Sequence, residues 1–210
     1  YFGPYESLIE GDGYDIITLS PPNEHGISYN SYYKLRVTDK KLRIFNVAEA
    51  SPTGSATKLF IIDAFQVDVF DEVEILGETA DILFVGDGTP DFTCVGCRFT
   101  NFGRVTFAKT SSADNLNETI STVGELEAGP GDVVIDGLSA PGVSSVEVIA
   151  GSIHTSGRID LNLKAVSSTN GGFEVAEDGN LGVGTGGVNL YTGQGIKLDY
   201  DENQISHIPS

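Results

Sequence analysis

Cys94 and Cys97 are the only cysteines in 210 residues, and their Cys-x-x-Cys spacing is the sharpest chemical signal in the chain. Such a pair serves as a redox centre, as half of a zinc site, or as a short-range disulfide. Zinc needs two more ligands, and His25 and His154 lie far off in sequence and apart from each other. A thioredoxin-like centre needs a strand–helix–strand setting, and no helical pattern follows Cys97. A structural disulfide is favoured, with zinc and redox chemistry left as alternatives. Carboxylates form the second candidate set. Asp68, Asp71, Glu72 and Glu74 cluster as acid–base pairs or calcium ligands do on sugar-cleaving enzymes. They also alternate with apolar residues, as on any solvated strand. Asp87 and Asp91 flank Gly88-Thr89-Pro90 and have the chemistry to hold calcium, but a tight turn explains that composition more simply. Gly182-Val183-Gly184-Thr185-Gly186-Gly187 has the letters of a dinucleotide fingerprint. It lacks the following helix whose N-terminus would hold a pyrophosphate, so no nucleotide is expected. His25, His154 and His207 are scattered, and no serine sits in a nucleophile elbow. No catalytic residue, cofactor or metal is assigned, and the chain is read as non-enzymatic.

The elements that must carry these residues are strands. Leu35 and Val37 alternate with Lys34, Arg36 and Thr38, and Leu42 and Ile44 alternate with Lys41 and Arg43. Phe65, Val67 and Val69 alternate with Gln66 and Asp68, and Val73 and Ile75 with Glu72 and Glu74. The same rhythm returns at Val105/Phe107, Val146/Val148, Ile159/Leu161/Leu163 and Ile196/Leu198. A period of two turns one row inward and the other to water. Tyr14–Leu19 reads as a first strand, ended by Ser20-Pro21-Pro22-Asn23. Short strands bounded by Gly, Pro, Asn and Asp make an all-β chain, either a sandwich or barrel or a solenoid of stacked rungs. Val133-Val134-Ile135, Ile153 and Phe173-Glu174-Val175 recur at roughly a solenoid rung's spacing, which favours a parallel β-helix. Residues 108–131 break the rhythm. They are polar, with Leu116, Ile120 and Val123 at helical spacing, and read as an excursion from the body.

Composition limits the partners. With 12 basic and 30 acidic residues the net charge is −18. Such a surface repels nucleic acid and anionic lipid. Lys34, Arg36, Lys40, Lys41 and Arg43 are the nearest thing to a basic patch, and read as a solvated strand face. No apolar run is long enough to span a bilayer. The absence of Met and of a signal-like start reads as a mature or trimmed segment.

Two stretches resemble a known family. Asn23-Glu24-His25-Gly26-Ile27-Ser28-Tyr29-Asn30-Ser31-Tyr32, followed by an alternating strand, is similar to the opening of the secretion domain of TpsA exoproteins. These are the cargo of bacterial two-partner secretion, and include filamentous-haemagglutinin-like adhesins, haemolysins and contact-dependent inhibition proteins. Gly77-Glu78-Thr79-Ala80-Asp81, the apolar run Ile82-Leu83-Phe84-Val85, then Thr93-Cys94-Val95-Gly96-Cys97-Arg98-Phe99-Thr100-Asn101 and Arg104-Val105-Thr106 resemble a second block of that family. Its two Asn-Pro turns are not kept. Ser51-Pro52-Thr53-Gly54 stands at the first, and the longer Gly86–Phe92 turn, with Pro90 and Asp91, at the second.

The resemblance implies a right-handed parallel β-helix with extra-helical hairpins or loops, forming a single domain over 1–210. It implies a secretion-targeting, folding-nucleating role and a TpsB-type outer-membrane transporter as partner, engaged through its POTRA domains. The positions it marks for recognition are Asn23, Gly26, Ser28, Asn30, Tyr32, Ser51, Pro52, Pro90, Asp91, Asn101 and Arg104. The protein would be a monomer without membrane insertion of its own, secreted or on the surface of a Gram-negative bacterium. The competing expectations are a stand-alone β-helical adhesin or carbohydrate-binding module, and a polysaccharide lyase or hydrolase.

Overall fold

The computed structural model describes residues 7–111, 113–161, 187–193, 196–200 and 205–207. Alternating side chains place one apolar row inward on strand after strand. In chain order these strands are β1 (Ser7–Glu10), β2 (Tyr14–Thr18), β3 (Ile27–Val37), β4 (Lys41–Asn46), β5 (Leu59–Val69) and β6 (Glu72–Gly77). There follow β7 (Ala80–Gly86), β8 (Phe92–Thr100), β9 (Phe102–Lys109), β10 (Gly124–Glu127) and β11 (Asp132–Ser139). The last are β12 (Ser145–Ala150), β13 (Ser152–Asp160), β14 (Gly187–Thr192), β15 (Lys197–Tyr200) and β16 (Ile205–His207). Two short 3₁₀ turns, Ala48–Ala50 and Ala113–Asn115, are the helical segments among the described residues.

Parallel pairing joins strands one circuit of chain apart. The first face stacks the first halves of β3 and β5, then β7, β9, β12 and β14. The second face stacks the latter halves of β3 and β5, then the start of β8, β11 and β13. The third stacks β2, β4, β6 and the end of β8. The chain visits the faces in rotation, which is a parallel β-helix, with the antiparallel β1–β2 hairpin added at one end.

Inside, register turns periodicity into ladders. Ile62, Phe84, Phe107 and Val148 follow one another across four successive strands. Phe84 and Phe107 stack at 5.1 Å, and Phe99 meets both, and Phe102, at about 6 Å. Aromatic pairs of this kind add about 0.5–1.5 kcal/mol each beyond the burial of their area.

The first face is buried on its outer side as well. Ile61, Leu83, Val85, Ala108 and Ile149 pack with Leu126, Leu198 and Tyr200. These last belong to a small antiparallel sheet, β10–β15–β16, lying off the helix body. In the 108–131 stretch, β9 runs to Lys109, Thr110 bridges to Ala128, and the chain rejoins the second face at β11. Leu116, Ile120 and Val123 form no helix there; they join the apolar cluster on this covered side.

Several expectations are corrected. Phe65 points outward, 38% exposed, because β5 turns the corner between two faces there and sets Phe65 and Gln66 outside in succession. Asp68 is buried, not solvated, held by Lys34 and Gln66. Leu198 belongs to the covering sheet and Ile196 packs beside it, so neither sits on a rung. Strand β1 was not anticipated. Val133 pairs with Ile153 in register, as their spacing implies. Leu163 and the segment Phe173-Glu174-Val175 lie outside the described residues.

Candidate functional site

The two halves of the Gly77–Thr106 block meet in space. Asn101 sits at the corner between the third and first faces, with φ +66. Asparagine tolerates this left-handed backbone better than most residues. Its Nδ2 donates to the carbonyls of Ile75 and Gly77 at 3.1 and 3.0 Å, and its Oδ1 accepts from the Thr79 hydroxyl at 2.7 Å. Asn46 does the same work lower in the stack. Its amide donates to the carbonyls of Thr57 and Glu78, and its Oδ1 accepts from the Thr57 N–H. Gly77 lies in register with Asn46 at φ +111, and a Cβ there would stand 2.2 Å from the Asn46 carbonyl. The sequence did not single out Asn46. Its signal was an asparagine closing an alternating strand, as Asn101 does after Phe99.

Asp81 and Arg104 close the same block. Arg104 Nε lies 3.5 Å from Asp81 Oδ2, and its guanidinium lies 4.2 Å from the centre of the Tyr200 ring. A Cβ on Gly103 would lie 2.5 Å from Asp81 Oδ1, so a side chain there would displace that carboxylate. Above them Glu147 is buried, accepting from Ser145 at 2.5 Å and Thr106 at 3.0 Å. Burial pushes the Asp81 and Glu147 carboxyls up, with Arg104 opposing in both cases. Burial likewise pushes the Tyr200 phenol up. A cavity of about 160 Å³ opens beside this cluster, lined by His25, Lys58, Asp81, Arg104, Val123 and Tyr200. The Glu147 oxygens are directed at neighbouring hydroxyls, and Tyr200 arrives on the covering sheet. The cluster therefore works as a polar clasp between helix body and cover. Glu147 gave no warning in sequence, since Val146-Glu147-Val148 reads like any alternating strand.

The Gly86–Asp91 turn already has a cation. Lys109 is buried, donates to the Asp87 carbonyl at 2.8 Å, and lies over the Phe92 ring at 4.6 Å. Burial lowers its ammonium pKa, opposed by Asp87 and Asp91. Among the described residues no group of three or more metal-ligating side chains converges. Asp91 is exposed and accepts from the Asp132 N–H at 3.4 Å, while Pro90 is half-buried.

The opening motif builds the end of the stack. Asn23 Oδ1 accepts from the N–H groups of His25 and Ile27, and its Nδ2 donates to the carbonyls of Glu118 and Ile120. Gly26, at φ +82, accepts from Lys58 and Leu59 on the next rung. Ser28 donates to the Ser20 carbonyl, and Asn30 accepts from the Ser20 N–H. Tyr29 donates to Asp63 at 2.5 Å, while Tyr32 packs against the core. Ser51 and Pro52 lie in a turn bordering a cavity of about 230 Å³, opposite Pro21 and Pro22.

The other candidates resolve locally. Cys94 and Cys97 lie side by side as a pair, their Cα atoms 5.5 Å apart across Gly96 at φ +61, and both are buried. Glu72 and Glu74 are paired with Lys41 and Arg43 on the neighbouring strand, and Lys40 with Asp15. Ser152 and Asp132 both approach His154, at 3.2 Å. They share one nitrogen, Nε2, so the three cannot act as a relay in which base and orienting group use opposite sides of the ring. His25 is exposed beside Glu24. Gly182–Gly186 and the His207 side chain lie outside what the structure describes.

No family model and no curated protein matches the sequence. Among solved structures, the chain matches the crystal structure of a filamentous hemagglutinin secretion domain, with a TM-score of 0.65 and 14% identity. The match covers 99% of this chain and 67% of that one. At such identity the likeness is one of fold alone.

Proposed function

We propose that this chain is the secretion-targeting and folding-nucleating domain of a larger exported protein. A TpsB-type transporter in the outer membrane of a Gram-negative bacterium recognises it through POTRA domains. The observation that carries this is fold overlap with a filamentous hemagglutinin secretion domain along nearly the whole chain. Burial supports an order of events. Ser28, Asn30 and Arg104 are buried in the folded state, so a transporter meets their side chains only before folding. An extended chain offers backbone donors and acceptors to a POTRA sheet edge. After passage, those groups close on neighbouring rungs. The domain acts as a monomer, does not insert into the membrane, and ends secreted or at the cell surface.

The test is deletion of residues 23–107 from the full-length protein in cells carrying the cognate transporter, with export measured by secreted protein per cell. Loss of export is expected. Undiminished export rejects the proposal.

A further inference from the structure

The second face contrasts with the first: its outer side carries no covering sheet among the described residues, and its last strand is exposed from His154 to Arg158. Aromatic side chains border it on both sides. At one corner Tyr33, 79% exposed, stacks on Phe65 with ring centres 5.4 Å apart and planes 20° from parallel. The contact follows from register, since Tyr32 pairs with Ala64 and Lys34 with Gln66. At the other corner Phe70 is also exposed, with the Arg36 guanidinium 6.0 Å from its ring centre. The strip between them is polar. Lys34 lies 3.0 Å from Asp68, and Gln66 donates to the same carboxylate at 3.1 Å.

We infer that this strip is a binding site for a neutral glycan, which stacks on Tyr33 and reaches along Lys34 and Gln66, both held in place by the buried Asp68, toward Phe70. A sugar ring has an apolar C–H face and a rim of hydroxyls. It therefore asks for a flat aromatic surface beside fixed donors and acceptors. From Phe65 to Phe70 the strand runs about 16 Å, the length of a short oligosaccharide. Lys34 is paired with Asp68, which leaves Arg36 over Phe70 as the strip's one surplus charge, and a net charge of −18 on the whole protein repels uronate and sulfate chains. A peptide helix needs a contiguous apolar groove, and here the rings stand apart on a polar floor. The inference is independent of the secretion proposal, because it concerns the folded surface.

The test is calorimetric and NMR titration of the 210-residue protein with cellohexaose, mannohexaose and laminarihexaose, and with hexagalacturonate as the anionic counterpart. At least one neutral hexaose binds, and moves amide signals at residues 33–36 and 65–70. Tyr33→Ala weakens that binding about tenfold, while Tyr33→Phe stays within about threefold. Tyr33 is mostly in solvent, so its variants keep the fold, which circular dichroism checks. Phe70→Ala gives a second measurement at the far corner and also weakens binding. The inference is overturned if no neutral hexaose binds, if Tyr33→Ala binds as the parent does, or if hexagalacturonate binds best.

Discussion

Replacing Arg104 by methionine tests the clasp beneath the covering sheet. The side chain is 6% exposed, its Asp81 partner 25%, and Tyr200 lies over the guanidinium. Methionine keeps much of the volume but removes the charge, which leaves Asp81 and Glu147 without their shared counter-ion. Removing one partner of a buried pair costs about 3–5 kcal/mol, mostly from the charge left behind. Arg98→Met is the control. Arg98 is half-exposed beside Glu72, so its loss is below about 1 kcal/mol. The chain has no tryptophan, so far-UV ellipticity follows urea unfolding of both variants. A second signature comes from pH. Burial already raises the Asp81 and Glu147 carboxyls, and Arg104 opposes that rise. Without it both go higher. A carboxyl whose folded pKa is raised takes up its proton more readily in the folded state. Stability is then regained as pH falls through the folded pKa toward the ordinary carboxylate range. The Arg104→Met deficit therefore narrows from neutral toward mildly acidic pH, while the Arg98→Met difference does not. A loss below about 1 kcal/mol, or a deficit that ignores pH, refutes the clasp.

Three further perturbations separate the remaining contributions. Asn101→Gly keeps the left-handed backbone and loses the side-chain hydrogen bonds, for about 1–3 kcal/mol; Asn101→Ala also meets the backbone penalty of about 1–2 kcal/mol, and equal urea midpoints for the two would contradict the corner role. Intact mass of exported protein is about 2 Da below the reduced form if Cys94 and Cys97 are joined, and the Cys94→Ala/Cys97→Ala pair loses about 2 kcal/mol or less, because the closed loop is so short; two free thiols would count against the bond. Burial raises the Glu72 pKa, but hydrogen bonds from Lys41 and Thr100 and the charges of Lys41 and Arg98 outweigh it, so the net shift is downward. Its stabilisation is present above the ordinary glutamate range and is lost as pH falls through the depressed value; Glu72→Gln should flatten that acid-side loss in urea titrations, and an unchanged slope would refute the assignment.

The body of the fold was legible because its inward rows obey a period of two, and Val67, Val73, Val105 and Val146 all fall inside as that period requires. What escaped was whatever depends on a second layer. Outward residues of the first face, such as Leu83 and Ile149, lie in unbroken apolar runs that mark a strand buried on both sides, but nothing near them in sequence says that β10 and β15 are the cover. Strands β10 and β15 are far apart in sequence, and their pairing leaves no local trace. Corners were equally opaque. Phe65 breaks the period by one residue, and a flat-strand template cannot see a bend. Of the candidate positions, Asn101 and Arg104 were visible as letters, as were Thr79 and Asp81 in the same block, but that they meet in pairs was not. Lys109 follows Phe107-Ala108 at the end of β9, and a charge directly after buried apolar residues was the one signal available for it.

These partnerships change what the sequence block means. Asn101, Gly103, Asp81 and Arg104 stand together in space because each fixes another: the asparagine ties off a corner, the glycine makes room for the carboxylate, and the arginine answers it. A stacked fold has no single centre, and each rung rests on the edge of the one before. Errors at a corner therefore propagate along the stack, and corner chemistry constrains the sequence more tightly than strand chemistry, where one apolar residue replaces another at modest cost. Asn101 and Arg104, which the resemblance marks for recognition, are also residues that close the rungs. Pro52 is exposed in its turn, so under the proposed secretion role it is a position at which recognition and folding can be separated.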